Sequence, residues 1–151
     1  MFRKALVTVD RSPFAEAALD RVADIRAEAV VVLHVVEPVS SILAREVPAF
    51  DVPPDIARSI SEAEREAAAT YLADAAAKLR GLGVEHVTTL MREGRPGHEI
   101  VVAARDEGCD LVVMSTHGRS GIRRALLGSV ANHVATHIED GAILLVRPPK
   151  D

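Results

Sequence analysis

Short apolar runs alternate with longer segments whose apolar residues recur at helical spacing along the whole chain. The first run, Ala5 to Val9, is mostly aliphatic and ends at Asp10. A continuous apolar run of this length predicts a strand that is buried on both faces. The same pattern predicts four further strands, at Ala29 to Val36, Val84 to Met91, Asp110 to Met114 and Ala142 to Val146.

Helices are predicted between these strands. Ser12 and Pro13 give the first helix a capping hydroxyl and a proline at its first position. A long helix is predicted from Ile56 until Gly81 and Gly83 end it. Its apolar face is predicted to carry Ile56, Ile60, Ala67, Tyr71, Ala75 and Leu79.

Two shorter helices complete the pattern. One follows the turn Gly94 to Gly97 and ends near Gly108, and the other lies around Val130 to Ile138. The segment from Pro38 to Pro54 lacks periodicity and contains several prolines. It is predicted to be an irregular excursion that acts as a lid over a neighbouring site.

The alternation of strand and helix predicts one α/β domain over residues 1–151, with a doubly wound parallel sheet and helices on both faces. In such sheets, ligands bind beyond the carboxyl ends of the strands, where the strand order reverses. We therefore expect functional residues near Asp10, Val36 and Met114.

Composition narrows the functional classes. The net charge of -4 argues against a nucleic-acid surface, which needs clustered excess cations. The one cysteine, Cys109, excludes an internal disulfide and favours a reducing compartment, so we expect a cytoplasmic protein. We expect an inert, partly buried thiol there. No stretch approaches the length of a membrane span, and no membrane partner is expected.

The segment from Ser115 to Ser129 carries the strongest candidate chemistry. A predicted strand ends, a loop with Gly118 and Gly121 follows, and a helix begins at Gly128 and Ser129. Glycines allow close backbone approach, and free N–H groups at a helix start favour an anion. Ordinary turns with Ser129 as an N-cap explain the same pattern equally well. The loop matches neither the P-loop signature nor the dinucleotide fingerprint.

This loop resembles the nucleotide loop of the universal stress protein family. The family pattern is glycine, two residues, glycine, nine residues, glycine, and then serine or threonine. Gly118, nine intervening residues, Gly128 and Ser129 match it, whereas Ser115 replaces the first glycine. Five other blocks resemble the family in the same order. They are Val9 to Pro13 with Glu16 to Leu19, Leu33 to Val36, Gly94 to Pro96 with Glu99 and Ile100, Asp110 to Met114, and Ala142 to Val146.

The resemblance implies an adenine-nucleotide α-hydrolase-like fold with strand order 3-2-1-4-5. It implies that the protein regulates a stress response by binding ATP or AMP, with or without Mg²⁺, and that it forms a homodimer through Ala142 to Val146. The nucleotide-binding residues that it implies are Thr8, Asp10, Val35, Met114, Ser115, Gly118, Arg119, Gly128, Ser129 and Val130.

Alternatives remain at several of these positions. Asp10 has the carboxylate that ribose or the adenine amino group needs, yet it is also a preferred cap for the helix near Pro13. His133 and His137 share a helix face at the spacing of a metal pair, but with no third ligand we expect solvent-facing side chains and no metal. His34 is predicted to be a satisfied core residue.

Three functional classes are compatible with this chain. The first is a nucleotide-binding regulator, and the second is a nucleotide-independent homodimeric interaction module. The third is an adenylating enzyme, for which 151 residues leave little room for a substrate domain. No catalytic residue is assigned, although slow ATP hydrolysis remains open because Arg119, Arg123 and Arg124 cluster in the loop.

Overall fold

The structure, a computed structural model, describes residues 1–47, 51–117 and 127–147. Its sheet consists of β1 (Phe2–Thr8), β2 (Ala27–Val36), β3 (Val87–Glu93), β4 (Leu111–Ser115) and β5 (Ala142–Val146). The helices in the described ranges are α1 (Pro13–Asp24), α2 (Val39–Glu46), α3 (Pro54–Gly81), α4 (Pro96–Asp106) and α5 (Ser129–His137).

The strand order is β3-β2-β1-β4-β5 and every pair is parallel, which confirms the predicted topology. β1 lies at the centre because its aliphatic run is apolar on both faces. Val7 pairs with Val32 on one side and with Val113 on the other. The chain leaves β1 for β2 and β3 and then returns to β4, so the strand order reverses between β1 and β4.

Two apolar cores lie on opposite faces of the sheet. Ala5, Val7 and Val9 pack with α1 and α3, whereas Leu6 packs with α4 and α5. This division follows from the alternation of side chains along a strand. The helices supply small residues to both cores, including Ala18 on α1 and Ala103 on α4, both fully buried. Aliphatic strands covered by alanine-rich helices explain a core with few aromatic residues.

Two predictions about the helices are wrong. Residues 39–46 form α2 where an irregular excursion was expected, although none of its residues is buried. At the start of α3, Ile56 and Ile60 are 52% and 41% exposed, and Ile60 lines a cavity instead of packing in the core. Ala67 is exposed as well, because its neighbour Ala68 faces the core, and the predicted stripe is buried only farther along, at Ala75 and Leu79. β3 also begins three residues later than the prediction, at Val87.

None of the described helices combines the length and the apolar character that crossing a bilayer would demand.

Candidate functional site

A crevice opens between β1 and β4 at their carboxyl ends. The two strands pair only as far as Val7 and Val113. Beyond that point β1 stays with β2, since the Val9 N–H donates to the Leu33 carbonyl at 2.9 Å. β4 stays with β5, since the Thr116 N–H donates to the Val146 carbonyl at 2.9 Å. The two halves of the sheet separate here, at the position where ligands bind in folds of this type.

This crevice forms part of a cavity of about 1150 Å³. Eight of the ten predicted site residues line it: Thr8, Asp10, Val35, Met114, Ser115, Gly128, Ser129 and Val130. The other two, Gly118 and Arg119, lie outside the described residues. The topology therefore brings together residues from β1, β2, β4 and the start of α5, which are far apart in the sequence.

The turn after β1 is built on Asp10. Its Oδ1 accepts a hydrogen bond from the Ser12 N–H at 3.0 Å, which closes a local side-chain turn before α1. Ser12 is the N-cap residue but makes no capping hydrogen bond, and its buried Oγ has no partner among the described residues. The predicted capping role of the Ser12 hydroxyl is wrong, because the carboxylate two residues earlier organises the turn.

Arg11, between them, adopts a left-handed conformation with φ of 64°. This region is unfavourable for a residue with a Cβ, so surrounding contacts must hold it. The Arg11 guanidinium forms an ion pair with Glu64 on α3 at 2.5 Å. The ion pair ties the turn to a helix that borders the cavity, and Glu64 lines the cavity itself.

The start of α5 is held close to the end of β4. The Gly128 N–H donates to the Thr116 carbonyl at 2.7 Å. A Cβ on Gly128 would lie 3.1 Å from that oxygen, so a larger residue here would force the two segments apart by a few tenths of an ångström. Gly128 is the N-cap of α5, and no side chain caps this helix. Ser129 is the first helical residue, so the interpretation of Ser129 as the N-cap is wrong.

The two residues that follow Ser115 are held by local hydrogen bonds. The Ser115 Oγ accepts from the His117 N–H at 3.4 Å, a long contact. The Thr116 hydroxyl lies 2.9 Å from the His117 Nδ1. The serine that replaces the family's glycine therefore lines the cavity and also contacts the loop backbone.

His34 forms part of the cavity wall from within the sheet. It is 4% exposed, and its Nδ1 lies 2.7 Å from the Val9 carbonyl oxygen. A carbonyl accepts only, so Nδ1 carries the proton. The prediction of a satisfied, buried histidine is confirmed, and its hydrogen bond holds the backbone immediately before Asp10.

The charged groups of the cavity separate according to the layer that supplies them. The lining carboxylates all come from the ends of β1 and β2 and from α2 and α3, and Arg45 of α2 is paired with one of them, Glu37. The charged or titratable groups that line the cavity from α4, its N-cap and α5 are all basic. The carboxylate residues are Asp10, Glu37, Glu46 and Glu64, and the basic residues from α5 and the N-terminal end of α4 are Arg95, His98 and His133. Such a cavity suits a ligand with hydrogen-bond donors at one end and negative charge at the other.

Sequence reasoning did not assign Arg95, His98 or His133 to the site. His133 was expected to face solvent, but it is half-buried, lines the cavity and stacks on His137 with ring centroids 4.0 Å apart. A usable signal existed, since His133 lies four residues after Ser129 and so shares its helix face. In the described part of the chain, no group of three or more potential ligands is arranged to hold a metal ion.

Comparison with known proteins identifies the family. The family model "Universal stress protein family" matches residues 1–140. A universal stress protein of Methanocaldococcus jannaschii is 32% identical over 146 residues, covering 89% of this chain and 88% of its own length. Another, from Bacillus subtilis, is 29% identical over 150 residues, covering 97% of this chain and 100% of its own length.

Solved structures agree with this result. UspA of Lactobacillus plantarum superimposes with a TM-score of 0.81 at 22% identity, covering 96% of this chain and 97% of its own. Two further solved structures contain nucleotides. A universal stress protein family protein of Arabidopsis thaliana with bound AMP has a TM-score of 0.68 at 16% identity, covering 99% of this chain and 94% of its own. A universal stress protein in complex with cAMP has a TM-score of 0.67 at 21% identity, covering 97% of each chain. Since the family model spans almost the whole chain and the fold agrees, this chain belongs to the universal stress protein family.

Proposed function

We propose that this protein binds an adenine nucleotide, ATP or AMP, in the cavity at the β1–β4 crevice and acts as a nucleotide-responsive regulator in the cytoplasm. The observation that carries the proposal is the convergence of the eight described site residues on one cavity. The AMP and cAMP complexes of family proteins support the choice of ligand. Mg²⁺ would accompany ATP through its phosphates, since the described residues offer no ligand cluster of their own.

The residues present fit such a ligand. The cavity volume of about 1150 Å³ exceeds what a small cofactor usually needs. Asp10 lines the cavity with a carboxylate, the group that binds a ribose hydroxyl in other α/β nucleotide sites. Val35 and Met114 provide apolar surface for the base. At the other end, the first N–H groups of α5 and the Ser129 hydroxyl suit phosphate oxygens.

The experiment is to denature the purified protein and look for released adenine nucleotide by mass spectrometry, followed by calorimetric titration of the nucleotide-free protein with AMP and ATP. We expect saturable binding at one site per chain. Gly128→Val should abolish it, because the side chain would displace the start of α5 from Thr116. Gly81→Ala, at the end of α3 with open space around it, is the matched control and should bind as wild type. Absence of binding by wild-type protein to either nucleotide refutes the proposal.

We also propose that the protein forms a homodimer through β5. This strand is the edge of the sheet next to β4, and its Leu144 is 37% exposed. An exposed apolar edge strand presents unpaired N–H and C=O groups on which a second chain can pair. Light scattering at micromolar concentration should give the mass of a dimer, and Leu144→Lys should give a monomer. A monomeric wild-type protein contradicts this proposal and leaves the nucleotide site untouched.

A further inference from the structure

The starts of α4 and α5 meet at the same end of the cavity. Pro96, Gly97 and His98 line it from the first turn of α4, and Ser129 and His133 line it from α5. The two helices are in close contact, because a Cβ on Gly97 would lie 3.0 Å from ring atoms of His133. The first turn of α4 and the first residues of α5 therefore both border this end of the cavity, and free N–H groups at helix starts favour negative charge.

Among the described residues, the basic side chains of this region have no carboxylate as an ion-pair partner. Across residues 1–47, 51–117 and 127–147, the Arg95 guanidinium makes no ion pair, whereas Arg45, which also lines the cavity, is paired with Glu37 at 2.6 Å. The acidic residue in the first turn of α4, Glu99, is bound to Arg92 at 2.7 Å and does not line the cavity. An arginine without a carboxylate, beside imidazoles and two helix starts, is a favourable environment for added negative charge.

We propose that Arg95, His98 and His133 form a wall, here called the α4–α5 wall, that binds the distal phosphates of a nucleotide, so that the protein binds ATP more tightly than AMP. This inference rests on the proposed function. Ser129 and Gly128 adjoin the wall at the start of α5, where the first phosphate of either nucleotide would lie. Only a longer phosphate chain reaches from there to α4, so the wall distinguishes nucleotides by chain length.

The wall also makes this preference depend on pH. Burial, His137, Arg95 and His98 together hold the pKa of His133 below its ordinary value, which favours the uncharged imidazole in the free protein. The other titratable or charged groups around the same cavity are His34, His117, Arg45, Asp10, Glu37, Glu46 and Glu64. A bound polyphosphate adds negative charge beside His133, favours its protonated form and therefore binds more tightly as pH falls, by at most about tenfold per pH unit for each proton taken up.

The test is calorimetric titration of the full chain with adenosine, AMP and ATP at pH 7, without and with Mg²⁺. We expect wild type to bind ATP at least about tenfold more tightly than AMP, the effect of one charge-assisted hydrogen bond. The double variant Arg95→Gln/His133→Gln should lose about tenfold in ATP affinity and less than about twofold in AMP affinity. Arg26→Gln is the charge-matched control: Arg26 is exposed, does not line the cavity and precedes β2, at the opposite end of the strands. It should change neither affinity.

Repeating the titrations between pH 6 and pH 8 adds a second readout. ATP affinity should rise as pH falls in wild type, and His98→Gln/His133→Gln should reduce that slope, whereas the AMP slope should be the same in both proteins. Equal affinity of wild type for AMP and ATP, or equal losses of both in the Arg95 double variant, overturns the inference.

Failure of the proposed nucleotide binding can be distinguished from failure of the α4–α5 wall to bind phosphates. If wild type binds neither nucleotide, inorganic tripolyphosphate is the remaining probe. Binding of tripolyphosphate that disappears in Arg95→Gln/His133→Gln supports an anion-binding wall without a nucleotide site. If wild type binds neither nucleotide nor tripolyphosphate, the proposed function and the α4–α5 wall are both overturned. Each variant should have the same Tm as wild type, which shows that a loss of binding reflects lost contacts with the ligand and not a loss of folding.

Discussion

The contact between Gly128 and Thr116 can be tested by adding a single methyl group. In Gly128→Ala the new Cβ would lie 3.1 Å from the Thr116 carbonyl oxygen, closer than ordinary van der Waals contact. That oxygen cannot move freely, because it accepts the Gly128 N–H at 2.7 Å and the Thr116 N–H is held by Val146 at 2.9 Å. The backbone of Gly128, with φ of -65° and ψ of 162°, is ordinary for alanine, so the cost is steric alone.

Overpacking of this kind costs about 1–3 kcal/mol. For a chain of this size, each kcal/mol corresponds to about 2–4 °C in Tm, so Gly128→Ala should melt roughly 2–12 °C below wild type. Gly81→Ala is the comparison, since its Cβ meets nothing within 4 Å. Replacing a helical glycine gains about 0.5–1 kcal/mol, or roughly 1–4 °C.

Differential scanning calorimetry of the two variants and wild type measures these shifts. The same steric displacement of α5 should lower ATP affinity at least about tenfold in Gly128→Ala, and Gly81→Ala should bind as wild type. A Gly128→Ala protein that melts at or above the wild-type temperature would refute the reasoning, because it would show that the loop end and the start of α5 are not packed this closely.

Three further predictions concern groups away from the cavity. Burial and the Glu16 carboxylate raise the pKa of Tyr71 to about 12, so absorbance titration of this single tyrosine should have its midpoint far above 10. The stability of the protein should fall as pH rises from 10 towards 12, and Glu16→Gln should lower the midpoint. A midpoint near 10 in the folded protein would contradict this prediction. Two backbone N–H groups of β1 hold the pKa of Asp110 below its ordinary value, so Asp110→Asn should lower Tm at pH 7. The difference in Tm between variant and wild type should vanish as acid protonates the wild-type carboxylate. A difference that stays constant at all pH values would be evidence against this prediction. Burial raises the pKa of Cys109 to about 11, about two pKa units above its ordinary value. Because the thiolate is the nucleophile, iodoacetamide should alkylate Cys109 roughly 100-fold more slowly at pH 8 than it alkylates an exposed cysteine. Alkylation at the rate of an exposed cysteine would exclude a buried thiol.

Much of the fold was predictable because it depends on local pattern. β5 was predicted at its observed bounds, and the prolines at positions 13 and 96 begin α1 and α4. A strand that is apolar on both faces and a helix stripe are properties of neighbouring residues. The strand order was expected only through the family resemblance, because pairing between distant strands leaves no signature in either strand alone.

Errors arose where a local pattern had a competing interpretation. Ser12 before Pro13 is typical of an N-cap, yet Asp10 closes the turn and the serine hydroxyl is buried. Residues 39–46 show no buried face, so periodicity did not reveal α2, which contacts α3 at the edge of the cavity. Local sequence does not specify which of two adjacent polar side chains makes a given hydrogen bond.

The opening of the cavity and its charge distribution were decided by tertiary structure. The sequence determined that polar or small residues follow apolar strands, at Asp10, Ser115 and Gly128. It did not show that β1 and β4 separate beyond Val7 and Val113, or that Arg95 and His133 line the same end of the opening. The physical reason is that these relations join residues tens of positions apart, and only the packing of α4 against α5 on one face of the sheet makes them neighbours.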